Sequence, residues 1–296
     1  MSVSGREDPL LRAMPLVFVL IWSTGFIVAR YGMPHGPPFT FLAIRYALSV
    51  VCFLPWIWLS RSRWPSGRRQ WGHLAVTGIL MHALYLGGVW AAVKAGMGSG
   101  VSALIVGLQP VLTAIWLSSR GTSVSRRQWA GLGLGLAGLV MVVSRKLGLG
   151  SAGDQITLVN LSLAVGALLA ITVGTLYQKR FVGPCDVRTA NAIQLAAALV
   201  VTLPLALLES EAMRWDPQAI GAMAWSVLVL TLGGSSLLYL LIQKGAATTV
   251  TSLFYLVPPT AAVMAWVLFS EPITVTTIVG MAVTALGVSL VIRSRT

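Results

Sequence analysis

Long apolar stretches separated by short polar connectors dominate the hydrophobic pattern of this chain. A membrane-spanning helix needs about 20 mostly apolar residues, and ten windows of the sequence meet or approach that length. The windows are 13–31, 38–60, 70–92, 98–118, 127–145, 156–178, 187–208, 218–242, 247–269 and 272–292. The connectors carry prolines and glycines, which interrupt helices. The pattern predicts an all-α membrane protein whose ten transmembrane helices form one compact transmembrane domain.

An internal repeat relates the two halves of this pattern. Shifting the chain by 149 residues aligns 20 identical pairs among 147, including Gly25 with Gly174 and Pro110 with Pro259. The same ungapped shift superposes the five windows of each half. Because five is odd, the second half should enter the membrane upside down, as in many transporters. We predict a cytoplasmic tail at 1–12, a first five-helix repeat at 13–146 and a second, inverted repeat at 156–293.

Composition and charge agree with a chain that lies in lipid. Hydrophobic residues make up 56% of it and charged residues 10%, whereas a soluble domain has roughly 25% charged residues. The net charge of +13 comes from bases placed between apolar runs, so it does not indicate a nucleic-acid partner. With the N-terminus inside, 15 bases fall in inside segments and 5 in outside segments. This bias predicts that both termini are cytoplasmic.

Short motifs recur along the predicted helices in a fixed order. They are WSTGF at 22–26, PP at 37–38 with RY at 45–46, GLQP at 107–110, LVPP at 256–259 and SEPI at 270–273. Over about residues 13–293, the chain resembles the EamA family of the drug/metabolite transporter superfamily. One departure is that Gly121-Thr122 stands where the second half has Ser270-Glu271, so the family's usual glutamate is missing from the first half.

This resemblance implies ten helices, both ends inside the cell, and export of metabolites or amino acids. Within the family, the chain resembles the YddG-type exporters of aromatic and other neutral amino acids. The expected partners are a small-molecule substrate and membrane lipid, in a bacterial-type inner membrane. The sequence leaves open whether the protein is a monomer or a homodimer.

Polar residues inside the membrane are functional candidates because burying them costs free energy. His82 and Tyr85 lie on one face of the third predicted helix, where they either form a cavity wall that binds substrate or make an interhelical hydrogen bond. Arg45 lies in the second helix, and its counterpart in the repeat is Gln194. Arg45 either anchors a substrate carboxylate or has a role in helix packing; we favour packing, since the resemblance associates this arginine with the family irrespective of substrate.

The remaining candidates are aromatic, amide and proline side chains on helices that would line a site between the repeats. The proposed cavity residues are Trp22, Trp90, Gln109, Tyr177, Tyr239 and Tyr255. Aromatic walls suit a neutral, partly apolar ligand, although Trp90 and Tyr239 also fit an aromatic belt at the membrane surface. The predicted helix breaks are Pro110, Pro258 and Pro259, whose freed carbonyls can line a cavity and whose kinks can act as hinges.

The absences narrow the function further. No predicted span contains Asp or Glu in its interior, which argues against a proton-coupled pump for cationic drugs. The sequence has no phosphate-binding loop and no catalytic or metal-ligand cluster, so we expect no enzyme activity, cofactor or metal. The sequence predicts a secondary transporter that exports neutral or aromatic amino acids, or similar small metabolites, by alternating access. The alternatives are a channel or facilitator for small solutes and a non-transporting membrane scaffold.

Overall fold

The computed structural model describes residues 9–120, 125–146, 156–234, 237, 256–271 and 273–293. Within these ranges all regular secondary structure is helical. Six stretches are long and apolar enough to cross a membrane: Leu16–His35, Pro38–Leu59, Arg68–Lys94, Leu158–Phe181, Val187–Leu207 and Pro217–Gly234. The prediction of an all-helical membrane protein is therefore confirmed.

The other four predicted spans coincide with shorter apolar helices in the described ranges. These are Ser99–Thr113, Trp129–Gly138, Val257–Phe269 and Val275–Gly287. These apolar stretches of 10–17 residues, although part of longer helices in two cases, are below the roughly 20 that a full span requires. The count of ten spans therefore stays a prediction.

We number the helices in chain order. They are α1 Pro9–Gly32, α2 Pro38–Leu59, α3 Arg68–Gly78, α4 Tyr85–Lys94, α5 Ser99–Val106, α6 Gln109–Ser119, α7 Arg126–Lys146, α8 Leu158–Phe181, α9 Val187–Leu207, α10 Pro217–Ala224, α11 Val257–Phe269 and α12 Val275–Arg293. A short 3₁₀ turn, Met33–His35, follows α1. The first π-helical segment, Ile79–Leu84, joins α3 to α4, and the second, Trp225–Gly234, continues α10.

The two π-helical segments occupy equivalent places in the two halves of the chain. Moving residues 79–84 by 149 positions gives 228–233, which lies inside Trp225–Gly234. A π-helical turn alters the backbone hydrogen-bond register, and such turns are frequent at functional sites. The repeat therefore extends to a local backbone feature that the identities between the halves do not reveal.

Helices α5 and α6 are separated at Gly107-Leu108, directly before Gln109 and Pro110. A Cβ atom on Gly107 would come within 2.7 Å of the Pro258 side chain, so this junction touches the start of α11. Pro258 and its neighbour Pro259 occupy the first turn of α11. Proline is tolerated there because the first amides of a helix have no intrahelical acceptor.

The surface of the bundle is suited to lipid. Several large apolar side chains are largely exposed, such as Trp58 at 78%, Leu158 at 83% and Val275 at 77%. In water such a surface would cost free energy, whereas in a bilayer it contacts acyl chains of similar polarity. The largest buried cluster instead joins α1, α2, the Arg68–Lys94 rod, α8, α9 and α10 around side chains such as Phe41, Tyr46 and Trp90.

Helices α7 and α12 pack through small residues, and their contacts mirror each other. A Cβ atom on Gly138 would overlap the backbone of Gly280 and Thr284, and one on Gly287 would overlap the backbone of Gly131 and Gly135. Adding 149 converts Gly138 into Gly287, Gly131 into Gly280 and residue 135 into 284. Reciprocal contacts of this kind are typical of a two-fold relation. Small facing residues let two helix backbones approach closely within a membrane.

Polar contacts tie the connectors together at one end of the bundle. The Lys94 ammonium donates to the Met33 carbonyl at 3.0 Å and pairs with Glu211 at 2.7 Å. His35 lies 2.7 Å from the carboxylate of Asp216. The turn after α1, the end of α4 and the α9–α10 connector thus form one polar rim.

Candidate functional site

The first π-helical segment presents His82 to the interior of the bundle, and Tyr85 follows it at the start of α4. The Tyr46 hydroxyl on α2 donates a hydrogen bond to the backbone oxygen of His82 at 2.8 Å. The two rings meet edge-on with their centroids 6.1 Å apart. Tyr85 is buried and lies near Arg45 on α2. The predicted pair therefore faces α2 rather than lipid.

Arg45 reaches from α2 to the second π-helical segment. Its side chain is buried, and Nε and Nη2 both donate to the Thr231 hydroxyl, at 3.3 and 3.2 Å. Thr231 in turn donates to the Ser226 carbonyl at 2.8 Å, five residues earlier, an acceptor that the π-helical register brings within reach. Tyr46 and Tyr85 lie near enough to interact electrostatically with the guanidinium.

The repeat relates this contact to a second one. The side chain of Gln194 on α9 lies next to the His82 side chain. Shifting by 149 residues turns Arg45 into Gln194 and His82 into Thr231. Each half therefore contributes one residue from its second helix and one from a π-helical segment, and the two contacts are equivalent in position. They differ in chemistry, since one contains a charge and the other does not.

We call these residues the central polar cluster: Arg45, Tyr46, His82, Tyr85, Gln194 and Thr231. The sequence predicted His82 and Tyr85 as site residues and considered Arg45 with its counterpart Gln194. It missed Tyr46 and Thr231 as members. The 149-residue shift contained the signal for Thr231, because it pairs this residue with His82.

The predicted tryptophans Trp22 and Trp90 each pack on a phenylalanine. Trp90 is 1% exposed and packs on Phe41 with ring centroids 4.5 Å apart, so it is a core residue rather than part of a belt at the membrane surface. Trp22 packs against Phe18 within α1, at 5.3 Å between centroids. A Cβ atom on Gly234 would lie 3.8 Å from the Trp22 ring, so Trp22 borders the end of the second π-helical segment.

Gln109 and Tyr177 bind partners near α8. The Gln109 amide donates to the Thr175 hydroxyl at 2.9 Å, and Tyr177 shares a 2.8 Å hydrogen bond with His73. His73 precedes His82 by nine residues, about 13 Å along a helix, so Tyr177 and His73 form a group separate from His82. The predicted cavity residues Tyr239 and Tyr255 lie outside the described residues.

The described carboxylates all lie at the ends of the bundle, and each has a partner there. Glu209 accepts from the Thr40 amide at 2.7 Å, and Glu271 accepts from the Ser99 amide at 3.1 Å. At the other end, hydrogen bonds from Arg188 lower the pKa of Asp186. Within the described part of the chain, no group of three or more His, Cys, Asp and Glu side chains is placed to hold a metal ion.

A cavity of about 290 Å³ lies between α1 and α10. Its walls are almost wholly apolar, and the Trp225 indole closes one side by donating to the Thr24 hydroxyl at 2.9 Å. It is lined by Thr24, Ile27, Val28, Tyr31, Gln218, Gly221, Ala222 and Trp225. None of these residues belongs to the central polar cluster.

Comparison with known proteins identifies relatives of this fold. The sequence model of the EamA-like transporter family matches residues 13–144 and 159–293, which nearly coincide with the two predicted repeats. A crystal structure whose chain is 15% identical superposes with a TM-score of 0.64 and covers 94% of this chain and 95% of its own. At that identity the superposition shows a shared fold alone.

Three curated relatives align over most of their length. The uncharacterized inner membrane transporter YedA of Escherichia coli K12 is 25% identical over 86% of this chain and 81% of its own. The uncharacterized transporter YvbV of Bacillus subtilis is 25% identical over 94% and 90%. A probable amino-acid metabolite efflux pump of Salmonella typhimurium is 22% identical over 91% and 89%.

Proposed function

The chain belongs to the EamA-like transporter family, and on that premise we propose that it is a secondary exporter of neutral or aromatic amino acids or similar small metabolites. Family membership makes it an integral membrane transporter and not an enzyme. The substrate class, the direction of transport and the mechanism are our proposal. The observation that carries it is the pair of repeat-related contacts in the central polar cluster, Arg45 with Thr231 and Gln194 with His82.

We propose that the protein has ten spans in two inverted five-helix repeats, at 13–146 and 156–293. The reciprocal glycine contacts of α7 and α12 support a two-fold relation between the repeats. The equivalent π-helical segments support it independently. In inverted-repeat transporters the substrate site lies near the membrane midplane, where the repeats meet. The central polar cluster has residues from both repeats and therefore fits that position.

Alternating access would then come from rocking of one repeat against the other. The break between α5 and α6 at Gly107 touches Pro258 at the start of α11. Pro110, Pro258 and Pro259 would act as hinges beside this contact. Two helix ends that meet at interruptions can change their angle with little loss of backbone hydrogen bonding.

The proposed energy source is the gradient of the substrate itself. The sequence has no phosphate-binding loop, and the described carboxylates lie at the ends of the bundle. The excess of bases in the predicted inside segments supports cytoplasmic termini. The inner-membrane location of the relative YedA supports the same location here.

The substrate class rests on the cluster and on one relative. Tyr46, His82 and Tyr85 offer aromatic surface together with hydrogen-bonding groups, a combination that suits a small amphiphilic solute. The Salmonella relative is described as a probable amino-acid metabolite efflux pump. The narrower YddG-type specificity stays a prediction.

Counterflow in proteoliposomes tests this proposal. Vesicles that contain the purified protein are loaded with an unlabelled neutral amino acid, and the same amino acid in labelled form is added outside. The measurement is repeated for each amino acid of a panel. A carrier gives saturable uptake that internal substrate accelerates. Non-saturating uptake without acceleration would instead indicate a channel. Absence of flux for every amino acid tested would refute the substrate class.

A further inference from the structure

We propose that the Arg45 guanidinium is the counter-ion of a carboxylate on the transported solute, so that the central polar cluster selects carboxylate-bearing substrates. The inference rests on the proposed function and makes its substrate class specific. It depends on the surplus of hydrogen-bond donors around Arg45 and on the lack of a protein anion there.

The charge of Arg45 has no carboxylate partner among the described residues. Its only hydrogen-bond acceptor in those ranges is the Thr231 hydroxyl, at 3.2 and 3.3 Å from two guanidinium nitrogens. A charge-assisted bond to a carboxylate is shorter, about 2.7–2.9 Å. Guanidinium remains protonated in proteins, so the bundle interior holds a positive charge that the described residues compensate only weakly.

The carboxylates that the structure describes are used elsewhere. Glu211 pairs with Lys94, Asp216 with His35, and Asp186 with Arg188. Glu209 and Glu271 accept from the amides at the starts of α2 and α5. The sequence has only three further acids, Glu7, Asp8 and Asp154, and none lies within a predicted span. An anion that meets Arg45 is therefore expected to come from a ligand.

Neighbouring groups also offer donors without an acceptor. Ser49, one helical turn beyond Arg45 on α2, is fully buried, and its hydroxyl has no hydrogen-bond partner. Ser226, whose carbonyl accepts from Thr231, is likewise fully buried with an unpartnered hydroxyl. Buried hydroxyls are normally satisfied. A carboxylate bound between α2 and the second π-helical segment would give these hydroxyls and the guanidinium an acceptor.

A carboxylate matches this arrangement better than other anions. Its two oxygens fit the planar fork of a guanidinium, and its single charge equals the single buried charge of Arg45. A phosphate group would bring up to about two charges. Gln194 and His82 lie near Arg45 and would meet the uncharged part of such a ligand.

The test compares acids with their esters in the wild type and in Arg45→Gln. Glutamine is the residue that the repeat places at the equivalent position 194, so its size suits this environment. The probes are L-phenylalanine, L-leucine and their methyl esters, used as competitors in counterflow. We expect the acids to compete in the wild type and the esters to compete at least about tenfold less well, the loss typical of a hydrogen bond to a charged group. In Arg45→Gln this preference should disappear.

The controls separate the two proposals. Arg120→Gln removes an exposed arginine that stacks on Trp116 at 4.9 Å and should keep the preference. Thermal stabilisation of the detergent-solubilised protein by the same acids measures binding without transport. If the acids stabilise the wild type but not Arg45→Gln, and no flux is seen, the proposal of a carrier is refuted while the proposal of a carboxylate site stands. Any of three results would overturn the inference. These are equal competition by acids and esters in the wild type, a preference for acids that persists in Arg45→Gln, and the absence of both binding and flux with every acid.

Discussion

The α7–α12 interface and the central polar cluster both contain contacts related by the 149-residue shift, but they use the repeat differently. At the interface, Gly138 and its equivalent Gly287 make the same kind of contact. In the cluster, Arg45 is equivalent to Gln194 and Thr231 to His82. The interface keeps its shape and its small residues in both halves, with Gly135 equivalent to Thr284, whereas the cluster keeps only position.

The physical reason is that the two regions serve different demands. Close packing of two helices depends on shape, and a two-fold relation gives both halves the same steric limit. A small solute with different ends has no two-fold axis, so equal residues on its two sides would not bind it well. Residue symmetry is thus kept where two helices pack closely and absent where we propose that an asymmetric ligand binds.

The largest expected effect comes from breaking the interface. In Gly138→Leu and in Gly287→Leu the new side chain would meet the backbone of the facing helix, and overpacking typically costs about 1–3 kcal/mol. Both variants should lose thermal stability in detergent by similar amounts, because their contacts mirror each other. Gly133→Leu on the same helix is the control, since a Cβ atom there meets nothing within 4 Å. Destabilisation by only one of the two variants would contradict the two-fold relation.

The second prediction concerns function without loss of folding. His82→Ala and Tyr85→Ala should each reduce counterflow about tenfold or more, since each removes polar contacts with the proposed substrate, while expression changes less. His73→Ala, on the same helical rod but bonded to Tyr177, should retain most flux. Wild-type flux in His82→Ala and Tyr85→Ala would exclude both from the site.

The smallest expected effect sharpens the comparison inside the cluster. Thr231→Val removes the hydroxyl that accepts from Arg45 but keeps nearly the same volume, so the apparent substrate affinity should change by about two- to tenfold. Thr172→Val is the matched control, because Thr172 is also buried and donates to a carbonyl of its own helix at 2.6 Å. Concentration-dependent counterflow measures both. An equal change in the two variants would show that the effect is not specific to Arg45.

The sequence by itself determined the helical class, the family and the outline of two repeats. Runs of apolar residues about 20 long report directly on a membrane environment, and prolines and glycines mark where helices are interrupted. It also identified His82, Tyr85 and Arg45 as candidates, since polar residues are costly and rare within such runs.

Only the tertiary structure decided which of the candidates lie together. Residues 186 positions apart, Arg45 and Thr231, meet, while Trp90 and Tyr177 bind other partners. Sequence spacing within one helix defines a face, but contacts between helices depend on how the helices cross and rotate. Both π-helical segments shift the helix register locally, and within them His82 and Thr231 lie opposite Gln194 and Arg45.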